Sequence, residues 1–150
     1  MRELALDEFI FHSIFDKDEF IKCIELLNEI RRTCCKIIVN SLIRKRYSEE
    51  LDKLLGRRDE YIHTILLPYL KNFFFNSDKT LEKSYSEKLK SKELETHHDA
   101  PFIKAALASS DKVLVTTDGK LKESLSKKLP QLRVLTPEEA YEELRRQNSQ

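Results

Sequence analysis

Short continuous apolar runs alternate along this chain with segments in which apolar residues recur every three or four positions. Continuous β-branched runs are typical of strands buried on both faces, and the three-to-four spacing is typical of amphipathic helices. The predicted strands are residues 3–7, 36–39, 113–115 and 132–135. Because strands that alternate with helices form parallel sheets covered on both sides, we expect a three-layer α/β/α sandwich with four or five parallel strands.

The helical patterns fill most of the sequence between these strands. The predicted helices begin near Phe9, Asp18, Leu42, Arg57, Asp99, Leu121 and Pro137. Pro68 is expected to kink the fourth of them. Residues 76–97 are almost wholly polar and are predicted to be a flexible segment within a single domain of residues 1–150.

Charge and glycine content narrow the function classes. With 27 basic and 26 acidic residues the chain has no global basic field, so any contact with nucleic acid requires a local patch. Only two glycines are present, which excludes glycine-rich phosphate-binding loops. Arg44 and Lys120 are the best candidates for contacts with a phosphate backbone, and the alternative is that they lie on solvated helix faces.

The cysteine pattern bears on the compartment. Three cysteines with no paired or metal-ligand spacing are most simply small buried residues in a reducing environment. No leader peptide or membrane-spanning run is recognised in the sequence. We therefore predict a cytoplasmic protein that does not contact a membrane.

Three aspartates are predicted to share one edge of the sheet. Asp7 and Asp118 follow strands, and Asp99 begins a helix that leads into a strand. A helix that enters a parallel strand runs antiparallel to it, so these positions meet at the same edge. Clustered carboxylates suit Mg²⁺ or Mn²⁺. The alternative is that aspartate simply caps helices.

Several motifs together resemble PIN domains, a family of metal-dependent nucleases. Thr116-Thr117-Asp118-Gly119-Lys120-Leu121 fits the family's T-x-D-x-x-L pattern, and Asp99 stands at its helix-opening acid. Leu4-Ala5-Leu6-Asp7 is similar to its opening strand and first aspartate, and Ile37-Ile38-Val39 is similar to its second strand. The resemblance implies a divalent-metal-dependent ribonuclease, with DNA a less favoured substrate. It implies that Asp7, Asp99 and Asp118 hold Mg²⁺ or Mn²⁺, which activates a water.

Two positions depart from the family pattern. The first aspartate is followed by Glu8 instead of a small polar residue. The family's second acid aligns with Arg46, whose positive charge opposes a metal ion. If Arg46 projects into the acidic cluster, we expect it to pair with Asp7 or Asp99. Glu49 or Glu50, three and four residues further along the same helix, is the alternative fourth acid.

Two hydroxyl residues and a histidine lie near the predicted site. Thr116 and Ser41 either orient a metal-bound water or satisfy turn backbone. His98 contacts a substrate phosphate only if its loop folds over the site. The predicted substrate-binding residues are Thr116, Ser41, Lys120, Arg44 and Arg46.

Two other functions remain open at this point. A PIN-like domain that has lost catalysis would serve as an RNA-binding or protein-interaction module, and Arg46 favours this alternative. The third possibility is the toxin of a toxin–antitoxin pair. Homo-oligomers or a regulatory protein partner are compatible with all three.

Overall fold

The structure, a computed structural model, describes residues 1–148. The strands are β1 (Glu3–Leu6), β2 (Lys36–Val39), β3 (Thr80–Glu82), β4 (Val113–Val115) and β5 (Arg133–Leu135). The α-helices are α1 (Phe9–His12), α2 (Lys17–Arg32), α3 (Ser41–Leu55), α4 (Leu67–Phe75), α5 (Lys92–Glu95), α6 (Ala100–Ala108), α7 (Gly119–Lys128) and α8 (Pro137–Asn148). A 3₁₀ turn (Ser13–Phe15) follows α1, and a π-helical turn (Ile62–Leu66) precedes α4.

The five strands form one parallel sheet in the order β3-β2-β1-β4-β5. The three inner strands carry side chains that are fully buried, among them Val39, Leu114 and Val115. A strand buried on both faces requires a helix layer on each side. The predicted three-layer α/β/α sandwich is therefore confirmed.

Parallel strands bring several chain segments to one edge of the sheet. Asp7 follows β1, Asn40 follows β2 and Thr116 follows β4, so all three lie at the ends where these strands finish. Helix α6 enters β4 and runs antiparallel to it, which brings the start of α6 to the same edge. We call this the carboxyl edge, and it positions the candidate site.

The polar segment 76–97 contains two elements that the sequence did not predict. Strand β3 pairs with β2 at the sheet margin, and α5 buries Leu94. An edge strand has one partner and is largely exposed, as β3 is, so its sequence needs no continuous apolar run. The hydrophobic pattern therefore does not predict a strand at β3.

The predicted helix over residues 57–75 is divided in two. The π-helical turn runs directly into α4, in which Pro68 is the second residue. Proline lacks a backbone N–H and its ring crowds the preceding turn, and a wider turn before it relieves that conflict. Among the described residues, no helix has both the length and the apolar composition needed to cross a bilayer.

Candidate acidic site at the carboxyl edge

Asp7 is held rigidly where β1 ends. Its backbone N–H donates to the Val115 carbonyl at 3.1 Å, which joins it to the neighbouring strand. One carboxylate oxygen accepts from the Glu8 backbone N–H at 2.6 Å, and the other accepts from the Thr116 hydroxyl at 2.9 Å. The residue is only 7% exposed. These contacts fix the direction of the carboxylate before any ligand binds.

The charge on Asp7 is not balanced by a nearby base. Within residues 1–148, no basic side chain forms an ion pair with this carboxylate. Burial first, and then the negative charge of Asp99, raise the pKa of Asp7 to about 6, although the bonds from Thr116 and Glu8 act in the opposite direction. Asp7 and Asp99 therefore lie close enough to interact electrostatically.

Thr116 links Asp7 to Asp118. Its hydroxyl donates to Asp7 and accepts from the Asp118 backbone N–H at 3.1 Å. Asp118 is exposed, and one of its oxygens caps α7 by accepting from the backbone N–H groups of Lys120 and Leu121 at 3.0 and 3.1 Å. The capping alternative thus describes one oxygen of Asp118, and the other takes no part in the cap.

Asp99 precedes α6 but does not cap it. Its carboxylate accepts no capping hydrogen bond, although the side chain is about nine-tenths buried. Burial raises the pKa of Asp99, opposed by the positive or polar neighbours His97, His98 and Arg46. Arg46 Nη2 lies 4.0 Å from Asp99 Oδ1. Helix capping therefore does not explain why this carboxylate is buried here.

Arg46 projects from α3 into the acidic edge. The next residue, Tyr47, is buried and donates its hydroxyl to the Leu6 carbonyl, which fixes the rotation of α3 against β1. The Arg46 guanidinium donates to both oxygens of Glu8, with Nε 3.3 Å from Oε2 and Nη2 closer to Oε1. It lies 4.7 Å from the centre of the Phe102 ring, a cation–π contact.

Glu8 is the acid that Arg46 neutralises. Burial alone would raise the pKa of Glu8, but the hydrogen bonds and charge of Arg46, followed by those of His98, bring this pKa below its ordinary value. The two partner side chains are 13% and 9% exposed. Glu8 therefore remains ionised and compensated at neutral pH.

His98 closes the group from the solvent side. Its Nε2 lies 3.0 Å from Glu8 Oε1 and 2.6 Å from Arg46 Nη2, and its backbone carbonyl accepts from Arg46 Nη1 at 2.6 Å. The ligand atoms of Glu8, His98 and Asp99 all lie within 4.8 Å of one another. Among the described residues this group, and not Asp7 with Asp99 and Asp118, meets that spacing.

The other predicted substrate-binding residues lie around this edge at greater exposure. Ser41 is the exposed first residue of α3, after an Asn40 cap whose side chain accepts from the Ile43 N–H at 2.9 Å. Arg44 is half-buried on the same helix. Lys120 is exposed in the first turn of α7, beside Asp118.

The two alternative fourth acids differ in direction. Glu50 is buried and pairs with His12 at 3.0 Å and Lys53 at 3.1 Å, so it does not join the acidic group. Glu49 is exposed and lines an open cleft of about 550 Å³ together with Arg46 and His98. A cleft between α3 and the start of α6 therefore borders the Arg46 and His98 side of the group.

Glu8 and His98 belong to the cluster, yet the sequence did not indicate Glu8 as a possible ligand. The adjacent His97 and His98 invite a zinc interpretation, but with no cysteine or histidine partner at ligand spacing the sequence favoured exposed loop histidines instead. Glu8 and His98 each directly adjoin a predicted acid, Asp7 or Asp99, in the sequence, and that adjacency was the available signal. Whether a neighbouring side chain turns toward the same edge depends on backbone angles that hydrophobic patterning does not specify. No family model matches this sequence, and searches among characterised proteins and solved structures found no match.

Proposed function

We propose that this chain is a PIN-like, divalent-metal-dependent ribonuclease whose reaction centre is the acidic group at the carboxyl edge. The observation that carries the proposal is the Asp7 carboxylate, which is buried, rigidly oriented and close to Asp99, with no basic partner among residues 1–148. Two interacting carboxylates in a buried position favour either a shared proton or a bound cation. A cation is the alternative that supports hydrolysis.

The donor chemistry fits Mg²⁺ or Mn²⁺. Asp7, Asp99 and Asp118 offer carboxylate oxygens, the donors that these ions prefer. When bound, the metal would supply charge neutralisation at the phosphate and an activated water. Asp118 keeps one carboxylate oxygen that the α7 cap does not use, which makes it available as the outermost of the three ligands.

The chain's own residues support this chemistry in separate ways. The Thr116 hydroxyl donates to the Asp7 carboxylate and accepts from the Asp118 backbone N–H, and so fixes the positions of these two residues relative to each other. Arg44 and Lys120 are the candidates for contacts with the RNA phosphate backbone, where a positive side chain gains from the high charge density of the polymer. Ser41 stands at the edge as a further hydroxyl.

Arg46 changes the charge balance without removing the site. It pairs with Glu8, so this pair is neutral in sum, and the charges of Asp7, Asp99 and Asp118 remain. A single divalent cation would reduce that remaining charge from three to one. In this proposal Arg46 compensates the extra acid that Glu8 introduces.

The direct test is cleavage of a labelled single-stranded RNA with Mg²⁺ or Mn²⁺. We expect the native protein to cleave and a chelator to abolish the reaction. Asp7→Asn and Asp99→Asn should each lower the rate by about 100-fold or more. Asp52→Asn, an exposed change on α3, is the matched control and should cleave at the native rate. If the native protein cleaves the RNA neither with Mg²⁺ nor with Mn²⁺, the proposal is overturned.

A PIN-like module without catalysis is the second candidate, and the position of Arg46 between Glu8 and Asp99 favours it. A fixed guanidinium beside Asp99 opposes an entering cation. Under this alternative the native protein cleaves nothing, and Arg46→Glu creates a four-acid set that binds Mn²⁺ more tightly. Cleavage by the native protein at a rate that Arg46→Glu does not change would exclude it.

A cytoplasmic location is part of the same proposal. Cys23, Cys34 and Cys35 are all unpaired, and two of them are buried. Free thiols of this kind suit a reducing compartment. RNA, the proposed substrate, is abundant there.

A further inference from the structure

The guanidinium of Arg46 occupies the centre of the Glu8–His98–Asp99 group. Its Nη2 atom contacts Glu8 Oε1, lies 2.6 Å from His98 Nε2 and lies 4.0 Å from Asp99 Oδ1. One cationic nitrogen therefore faces one atom from each of three residues that commonly bind metals. The chain itself supplies a positive group at this position.

The chemistry of the three residues differs from that of the aspartates proposed above. One imidazole nitrogen and two carboxylates suit Zn²⁺, whereas Mg²⁺ prefers oxygen ligands alone. Two carboxylates carry two negative charges, which a single guanidinium compensates only by half. A divalent ion would balance them.

The spacing is compatible with a zinc ion after small side-chain adjustments. Ligand atoms at about 2.1 Å from zinc lie about 3.4 Å apart in a tetrahedral arrangement. The ligand atoms here lie within 4.8 Å of one another, and the His98 side chain is 74% exposed, which leaves solvent space into which it can shift. A fourth position would face the cleft.

We propose that Glu8, His98 and Asp99 form a second cation site of the Zn²⁺ class, and that Arg46 fills it when no metal is bound. Metal entry then requires Arg46 to leave. The adjoining cleft gives it room and new partners, because Glu49, one helical turn further along α3, and Glu95 both line that cleft. The inference extends the proposed function because both sites use Asp99.

Titration calorimetry with Zn²⁺ tests this site in the absence of RNA. Replacing Arg46 by the uncharged Met should lower the dissociation constant for Zn²⁺ about tenfold or more relative to the native protein. Arg46→Gln should do the same while keeping a hydrogen-bond donor for Glu8, so it serves if Arg46→Met does not fold. Lys45→Met, an exposed change on the same helix, is the matched control and should bind as the native protein does.

The His98 side chain provides the second readout. Adding His98→Ala to either Arg46 variant should abolish the gain, and the visible spectrum of bound Co²⁺ should change with it. Arg46 variants that bind Zn²⁺ no more tightly than the native protein, or a gain that survives His98→Ala, would overturn the inference. RNA cleavage with Mg²⁺ or Mn²⁺ fails or succeeds independently of this titration, so the two proposals are separable.

Discussion

Asp7 and Glu8 are neighbours in the sequence, each is 7% exposed, and yet their acidities are shifted in opposite directions. Burial is the largest influence on both, and it raises both pKa values. Glu8 additionally receives two hydrogen bonds from Arg46, and its pKa falls below the ordinary value. Asp7 faces Asp99 instead, and its pKa rises to about 6.

The difference shows that burial by itself does not decide the charge state of this site. The directly bonded guanidinium of Arg46, assisted by His98, outweighs desolvation for Glu8, while hydroxyl and amide donors do not outweigh it for Asp7. The edge is therefore divided into a compensated half around Glu8 and an uncompensated half around Asp7. The proposed Mg²⁺ or Mn²⁺ site belongs to the uncompensated half, whereas the proposed Zn²⁺ site lies in the half where Arg46 supplies the positive charge.

Removal of Arg46 should have the largest effect on this comparison. Arg46→Met leaves Glu8 buried without its partner, so the free energy of unfolding should fall by about 3 kcal/mol in urea titrations at neutral pH. Lys45→Met, the exposed control, should change it by less than about 0.5 kcal/mol. Combining Arg46→Met with Glu8→Gln removes both charges and should recover most of the loss. A double variant no more stable than Arg46→Met would contradict this account of the pair.

The pH dependence of the free energy of unfolding should distinguish Asp7 from Glu8, by an amount smaller than the effect of removing Arg46. Folding raises the pKa of Asp7 from 3.8 to about 6. The ionised carboxylate therefore destabilises the folded protein above about pH 6, and this cost disappears as the pH falls toward 4 and Asp7 takes up a proton in the folded state. The native protein should therefore gain about 1 to 2 kcal/mol between pH 7 and pH 5. Asp7→Asn should remove most of this slope.

Glu8 should act in the opposite sense at lower pH. Folding lowers the pKa of Glu8, so ionised Glu8 stabilises the folded protein above pH 4.5, and this stabilisation is lost as the pH falls further. Thermal melts in a pH series from 7 to 3 should thus show a maximum for the native protein. A native curve that falls steadily from pH 7, or one unchanged by Asp7→Asn, would contradict the assignment for Asp7.

Much of the fold was predictable because the inner strands are buried on both faces. Such strands must be apolar throughout, and β1, β2 and β4 carry that signature in the sequence. The edge strand β3, with the sequence Thr80-Leu81-Glu82, does not. Its position is set by pairing with β2, a long-range contact that local patterning does not encode.

The candidate site also has one part that the sequence predicts and one part that it does not. Chain connectivity alone brings Asp7, Asp99 and Asp118 to one edge, because strand ends and helix starts meet there. The partners of Arg46 depend on how the loop before α6 folds back over α3, which brings His98 to a residue 52 positions away. That contact comes from tertiary structure. The sequence indicated the charge conflict at Arg46 and predicted Asp7 or Asp99 as its partner, whereas its hydrogen-bonded partner is Glu8 and Asp99 lies at 4.0 Å.

The most direct test of the divided edge is carboxyl carbon NMR of Asp7 and Glu8 across a pH series, with and without Mg²⁺. The account predicts that Asp7 titrates near 6 without metal and that Mg²⁺ lowers this pKa, because the cation competes with the proton. Glu8 should titrate below 4.5 in both conditions. An Asp7 that titrates near 3.8, or that does not respond to Mg²⁺, would contradict the claim that this carboxylate is kept uncompensated for a cation.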